Sequence, residues 1–250
     1  HITQRMTARN CLVCISGKID QPQDLLKTIE KLFADLPQTD VVNNYIPATY
    51  NAAIVHKTKE TDKNVRVVLV FPWLYSRTFD NKYANMCVGR FLANLQEHLM
   101  DVLREENGLL YGIGSESFGP DDFCGVNGFS FRTAPENMGR CIELAARTSY
   151  DVYTNNPAPT EFLQRRWHRG RLGNAKWLES AERRCRTLIS EYLDYQCLYD
   201  YDKYTGWSHQ ISSDDVMRYT RGFFDGPMSI VTQGADFDAD LGAVWRENFK

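Results

Sequence analysis

Leu109–Phe118 and Gly125–Arg132 are two strand-length runs joined through Gly119-Pro120-Asp121-Asp122, and this pairing limits the fold more than any other feature. A connection this short cannot hold the dozen or more residues that a parallel crossover needs. The two runs are therefore expected to form an antiparallel hairpin, with Gly and Pro as turn punctuation. Upstream, Asp80 to about Glu106 reads as one long helix. Met86, Phe91, Leu92, Leu95, Leu99, Val102 and Leu103 supply its apolar stripe, and Asn107-Gly108 its left-handed stop.

The remaining elements follow from the same signals. Cys11–Ser16 is an apolar run expected to be a strand. Asp20 is placed to cap a helix with Pro22 in its first turn, and Leu25, Leu26, Ile29, Leu32, Phe33 and Leu36 share one face before Pro37. Residues 38–51 read as a loop, Ala52–Lys57 as a short strand and Val65–Trp73 as a buried, β-branched strand. Thr133-Ala-Pro-Glu136 has the form of a capping box before a helix to about Thr154. Glu161 to about Tyr201 is helical in composition, with a break near Trp177–Ser180. Ser212–Asp215 caps a helix to Phe224, and Met228–Gln233 is the last strand. Leu241, Val244 and Trp245 give the tail something to pack with. Hairpins and helices both join consecutive strands. This predicts an α+β fold, a mainly antiparallel β-sheet with helices packed on one face. With no internal repeat, low-complexity tract or clear linker, residues 1–250 are expected to form a single domain.

A net charge of −3 and a pI near 6.0 give no electrostatic reason to expect nucleic acid as a partner. The basic runs Arg165–Arg171 and Arg183–Arg186 share their helices with Glu161, Glu179, Glu182 and Glu191, which predicts ion-paired, solvated faces. No apolar run approaches the length of a membrane span, so no membrane partner is expected. The chain starts at His1 without a charged-then-apolar leader and is expected to be part of a longer protein. Its localisation is unknown from sequence. The seven cysteines are irregularly spaced, and Cys11-Leu-Val-Cys14 has no second pair. They read as buried, reduced thiols, which favours the cytoplasm.

Leu103-Arg104-Glu105-Glu106-Asn107-Gly108-Leu109-Leu110-Tyr111-Gly112 is, on its residues alone, a helix end and a strand start. It resembles the "LREK-GLAY" signature of the pitrilysin/insulinase family of zinc metallopeptidases, which includes the mitochondrial processing peptidases. Asn10–Gly17 resembles that family's "NM-x-LVI-x-G" strand. Phe33-Ala-Asp-Leu-Pro37 is similar to "FGDLP", and Thr133–Glu136 to "T-x-PE". Val65–Pro72, Ser212–Asp215 and Ser229–Gly234 fall in the corresponding order, so the resemblance runs from about Thr7 to Gly234.

In that family a zinc-bearing domain with HxxEH faces a zinc-free domain across a closed chamber. Here His1, His56, His98, His168 and His209 include no such spacing, and Asn94 stands where Glu97-His98 would need the first His. The resemblance therefore implies the zinc-free domain, with no metal and no cofactor in this chain. Zinc would lie on an HxxEH-bearing partner domain or subunit, and the chain alone would be inactive. It implies Tyr111 as a catalytic hydrogen-bond donor to the developing oxyanion and Arg104 as a substrate-binding residue. Gly112 and Gly114 would let a peptide backbone approach the strand, or they serve only the twist of the hairpin. Leu92–Leu99 replaces the family's Gly-rich Ser-Arg-Leu stretch, so a different chamber wall is expected. The alternative implied by the same resemblance is a non-catalytic structural or assembly domain, as in respiratory-complex core proteins.

Overall fold

The computed structural model describes residues 11–38, 48–59, 61–119, 124–155, 157–195 and 200–250. They fall into two compact units, one of residues 47–169 and 202–250, the other of residues up to 46 and 170–201.

In the larger unit, β1 (Ile54–Thr58), β2 (Val65–Pro72), β3 (Leu110–Phe118), β4 (Val126–Thr133) and β5 (Ser229–Gly234) form a sheet in the order β1-β5-β2-β4-β3. β1 and β5 run parallel, and every other neighbouring pair is antiparallel. The central strand β2 owes its place to alternation. Val65, Val67, Leu69 and Phe71 point into the core, while Arg66 between them is exposed. Against this inner face lies α2 (Lys82–Met100), which buries Cys87, Val88, Phe91, Leu95 and Leu99 at helical spacing. Such side chains contribute about 1.5–3 kcal/mol each when fully buried. Next to it, α3 (Met138–Asn155) buries Met138, Cys141, Ile142, Ala145 and Ala146. The fold is thus α+β, with a mostly antiparallel sheet, as the sequence predicts.

The other helices are α1 (Pro22–Leu32), α4 (Thr160–Glu179), α5 (Ala181–Tyr195), α6 (Tyr201–Gln210), α7 (Ser213–Thr220) and α8 (Leu241–Asn248). The break after α4 falls at Ser180, whose hydroxyl accepts from the Arg183 amide at 3.3 Å. Ser212 caps α7 reciprocally: the Asp215 amide donates to its hydroxyl and its own amide donates to the Asp215 carboxylate, both at 3.1 Å. That helix stops at Thr220, short of Phe224. Met228 stays outside β5, and α6 begins where the sequence predicted helix to end.

Several expectations are corrected. Cys11–Ser16 forms no strand. Its apolar side chains are largely exposed, and it has side-chain partners instead of a ladder, with Arg184 donating to the Ser16 hydroxyl at 2.9 Å and Cys185 to the Cys14 carbonyl at 3.7 Å. A short apolar run becomes a strand only where another strand meets its amides. In the same unit α1 starts at Pro22, but its first turn takes no side-chain bond from Asp20, and none of its residues is buried. Thr133 does not cap a helix. It ends β4, and its hydroxyl donates to the Leu109 carbonyl at 2.7 Å, so a short 3₁₀ turn (Pro135–Asn137) leads into α3 instead. The cysteines are not uniformly buried: Cys87 and Cys141 are, Cys14, Cys124 and Cys185 are half-buried, and Cys11 is exposed. Residues 39–47, the predicted turn at 120–122, His1 and Cys197 lie outside the described residues.

Candidate functional site

The junction between α2 and β3 is built by three local devices. The first is a π-helical turn, Asp101–Glu106, which continues α2 and carries Arg104. Such wide turns recur at functional sites. Leu103 stays fully buried beneath it, so the turn is anchored while Arg104 projects. The second is the stop at Gly108, whose φ of 63° is left-handed. Its amide donates to the Arg104 carbonyl at 2.9 Å, and the Asn107 side chain donates to the Val102 carbonyl at 2.7 Å. The Asn-Gly stop read from sequence is therefore where it was expected.

The third device is a β-bulge in β3. Leu110 pairs with Thr133 and Ile113 with Phe131, so Tyr111 and Gly112 together face the single residue Arg132. The extra residue lets both Leu110 and Ile113 reach the core, although they are three apart in a strand. Tyr111 is thrown to the opposite face and is 88% exposed. Arg104 sits beside it, its guanidinium carbon 5.2 Å from the ring centroid. A surface contact with Glu105 at 3.3 Å completes the Arg104 surroundings. The structure thus brings Arg104 and Tyr111 together.

Gly112 and Gly114 lie next in β3. A Cβ placed on Gly112 would meet no atom within 4 Å, and one on Gly114 would meet the Ser130 hydroxyl at 3.3 Å. The packing of the fold does not require glycine at 112. Tyr111, Gly112 and Ile113 border a hollow of about 480 Å³ whose floor is Arg66, Ser130, Phe131 and Arg132. Among the described residues β3 is an edge strand of the sheet, and Gln96 of α2 lies across that edge. Its amide donates to the Ile113 carbonyl at 2.7 Å and accepts from the Ser115 hydroxyl at 2.5 Å.

Sequence reasoning missed Gln96, Arg66, Ser130 and Arg132. Alternation within β2 and β4 would have placed the last three on the outer face, but their meeting depends on strand register. His56 on β1 is held by Thr232 at 2.9 Å and Asp236 at 3.2 Å, while His168 and His209 each lie 4.7 Å from the Trp167 ring. Among the described residues no group of three His, Cys, Asp or Glu side chains is placed to hold a metal ion. Within the basic run on α4, Arg165 and Arg169 share Glu97 at 3.3 and 3.7 Å. No described helix is long and apolar enough to cross a membrane.

Comparison with known proteins completes the picture. The sequence model of the family described as the peptidase M16 inactive domain matches residues 1–166. No curated protein sequence matches the chain. In structure it is similar to the periplasmic protease PqqL from Escherichia coli, with a TM-score of 0.72 and 15% identity, over 88% of this chain and 25% of that one. It is similar to a peptidase M16 inactive domain from Pseudomonas fluorescens, with a TM-score of 0.70 and 19% identity, over 88% of this chain and 53% of that one. A chain of Complex III2 from Candida albicans matches with a TM-score of 0.74 and 12% identity, over 92% of this chain and 57% of the other. This chain therefore spans between a quarter and somewhat over half of the length of these relatives.

Proposed function

Because this chain belongs to the peptidase M16 family, in the class described as its inactive domain, we propose that it binds peptide substrate and completes the active site of an HxxEH-bearing zinc domain. That domain lies on the same parent chain or on another subunit. The observation that carries the reading is the exposure of the Tyr111 side chain beside Arg104, imposed by a bulge and a π-turn. Peptide hydrolysis builds negative charge on the scissile carbonyl oxygen. A phenol, ordinarily protonated at neutral pH, donates a hydrogen bond to that oxygen. The Arg104 guanidinium holds a neighbouring peptide carbonyl or carboxylate through its fork of N–H donors. Gly112 and Gly114 let the substrate backbone lie close to β3, whose edge position suits addition of an extended peptide. Gln96 holds part of that edge, so the incoming strand has to take over the Ile113 carbonyl. Zinc, held by the HxxEH side chains of the partner, would supply Lewis-acid polarisation of the carbonyl and activation of water. Neither task falls to a residue of this chain.

The test is cleavage of a quenched fluorescent peptide library by this chain alone with zinc, by the HxxEH domain alone, and by the two together. Silence from each part and turnover from the pair supports a shared active site. Full activity of the HxxEH domain without this chain would leave it a structural or assembly domain.

A further inference from the structure

The outer face of the sheet holds two arginines in a position that strand pairing disfavours. Arg66 on β2 and Arg132 on β4 are direct register partners, so two like charges stand opposite each other. Both are exposed, each between neighbours buried in the core. The hollow beside Tyr111 and a second one, about 260 Å³, share both arginines and therefore lie on either side of the pair. Among the described residues, the ionised side chains lining the two are Lys59, Lys63, Arg66 and Arg132, with the carboxylate of Asp62. Lys59 already binds both oxygens of Asp62, at 2.9 and 3.1 Å. Glu116, from β3, lies 3.6 Å from Arg66, too far for a strong charge-assisted bond. Among the described residues the face thus keeps an excess of positive charge, four cations against Asp62 and Glu116, in a chain whose net charge is negative.

Position relates this face to the bulge. Neighbouring strands lie about 4.8 Å apart. A peptide laid along the β3 edge has its alternate side chains on the outer face, one strand from β4. Gly112 puts no side chain in between, and Arg132 is the residue that the bulge faces. We infer that this face is a carboxylate-binding subsite: Arg132, with Arg66 behind it, receives an acidic side chain of a peptide bound along β3. The inference rests on the reading above, in which β3 takes the substrate, and it adds a substrate class, peptides with a Glu or Asp beside the residue at Tyr111.

The experiment is fluorescence anisotropy with this chain and amidated, fluorescein-labelled peptides of Ser, Ala and Gly. They carry a central Glu triplet, Gln triplet or Lys triplet and the same dye, so that side-chain charge is the one difference among them. The Glu peptide is expected to bind at least about tenfold more tightly than the Gln peptide at low salt, with the advantage shrinking as salt rises. The double variant Arg66→Gln, Arg132→Gln abolishes that advantage and leaves the Gln peptide's affinity in place. The charge-retaining Arg66→Lys, Arg132→Lys variant keeps part of it, which separates lost charge from lost fold. Equal affinities for Glu and Gln peptides overturn the inference. So does absence of Glu-peptide binding, or an advantage that survives in the double variant. If the Gln peptide binds and only the Glu advantage is missing, the inference fails while the half-site reading stands. If the advantage is present but assembled turnover ignores Tyr111, the reverse holds.

Discussion

The same substitution at two glycines of one sheet should give opposite outcomes. In β4, a Cβ on Gly128 would lie 2.0 Å from the Leu69 carbonyl oxygen and 2.8 Å from the Val70 Cα, both backbone atoms of β2. A carbon–oxygen contact needs roughly 3.2 Å, so Gly128→Ala forces the two central strands apart by about 1 Å. That stretches neighbouring ladder bonds beyond useful length. Each is worth about 1 kcal/mol net, and a buried group left unsatisfied costs about 1–3 kcal/mol more. Gly128→Ala should therefore destabilise by about 3–5 kcal/mol, a fall in melting temperature of roughly 6–20 °C for a chain of this size. At Gly112 the added methyl meets nothing, and Gly112→Ala should melt within about 2 °C of the wild type. Thermal unfolding followed by tryptophan fluorescence measures both. If the proposed function holds, Gly112→Ala should still lower kcat/KM of the assembled enzyme, because the methyl would stand where the proposal places the substrate backbone. A large loss of stability at 112, or unchanged stability at 128, would refute the packing argument. Stable Gly112→Ala with full activity would refute the close approach.

Gln96→Ala frees the Ile113 carbonyl for a substrate strand, so peptide affinity should rise about threefold; an unchanged or weaker Kd argues against addition at this edge. Thr133→Val removes the hydroxyl that holds the Leu109 carbonyl and should cost about 1 kcal/mol in the same melts, with no loss if that bond is dispensable. Hydrogen bonds from the Ser212 hydroxyl, then from its amide and Tyr83, hold the Asp215 carboxyl below the usual range despite partial burial. A depressed native pKa means stability that is present above the unfolded pKa, about 3.9, and lost as pH falls through the native value. Melting temperature should thus drop as pH goes below about 4, and Asp215→Asn should show a flatter profile over that window. An equally steep profile in the variant would assign the acid transition to other carboxylates.

The elements that sequence made legible are those whose signals are local. The 109–118 and 125–132 runs, the Asn107-Gly108 stop, the helix break at Ser180 and the Ser212 cap each depend on a few adjacent residues. What failed depended on distant partners. Cys11–Ser16 has strand composition but meets no ladder, and Thr133 has a capping hydroxyl already bound to Leu109. At the site, Arg104 and Tyr111 came from a family resemblance, since their residue types alone fit any helix end and strand start. The bulge left a trace, because Leu110 and Ile113 are apolar and three apart where a regular strand would need an even spacing. The Arg66–Arg132 juxtaposition left none, because it arises only from the register of β2 on β4.

The most direct measurement is steady-state hydrolysis of one quenched fluorescent peptide by the assembled enzyme, with wild-type chain and with Tyr111→Phe. Removing a single oxyanion donor typically lowers kcat by about 10²–10³-fold, and this account predicts a loss of that size with little change in KM. Turnover indifferent to the lost hydroxyl would contradict it and make the chain a scaffold.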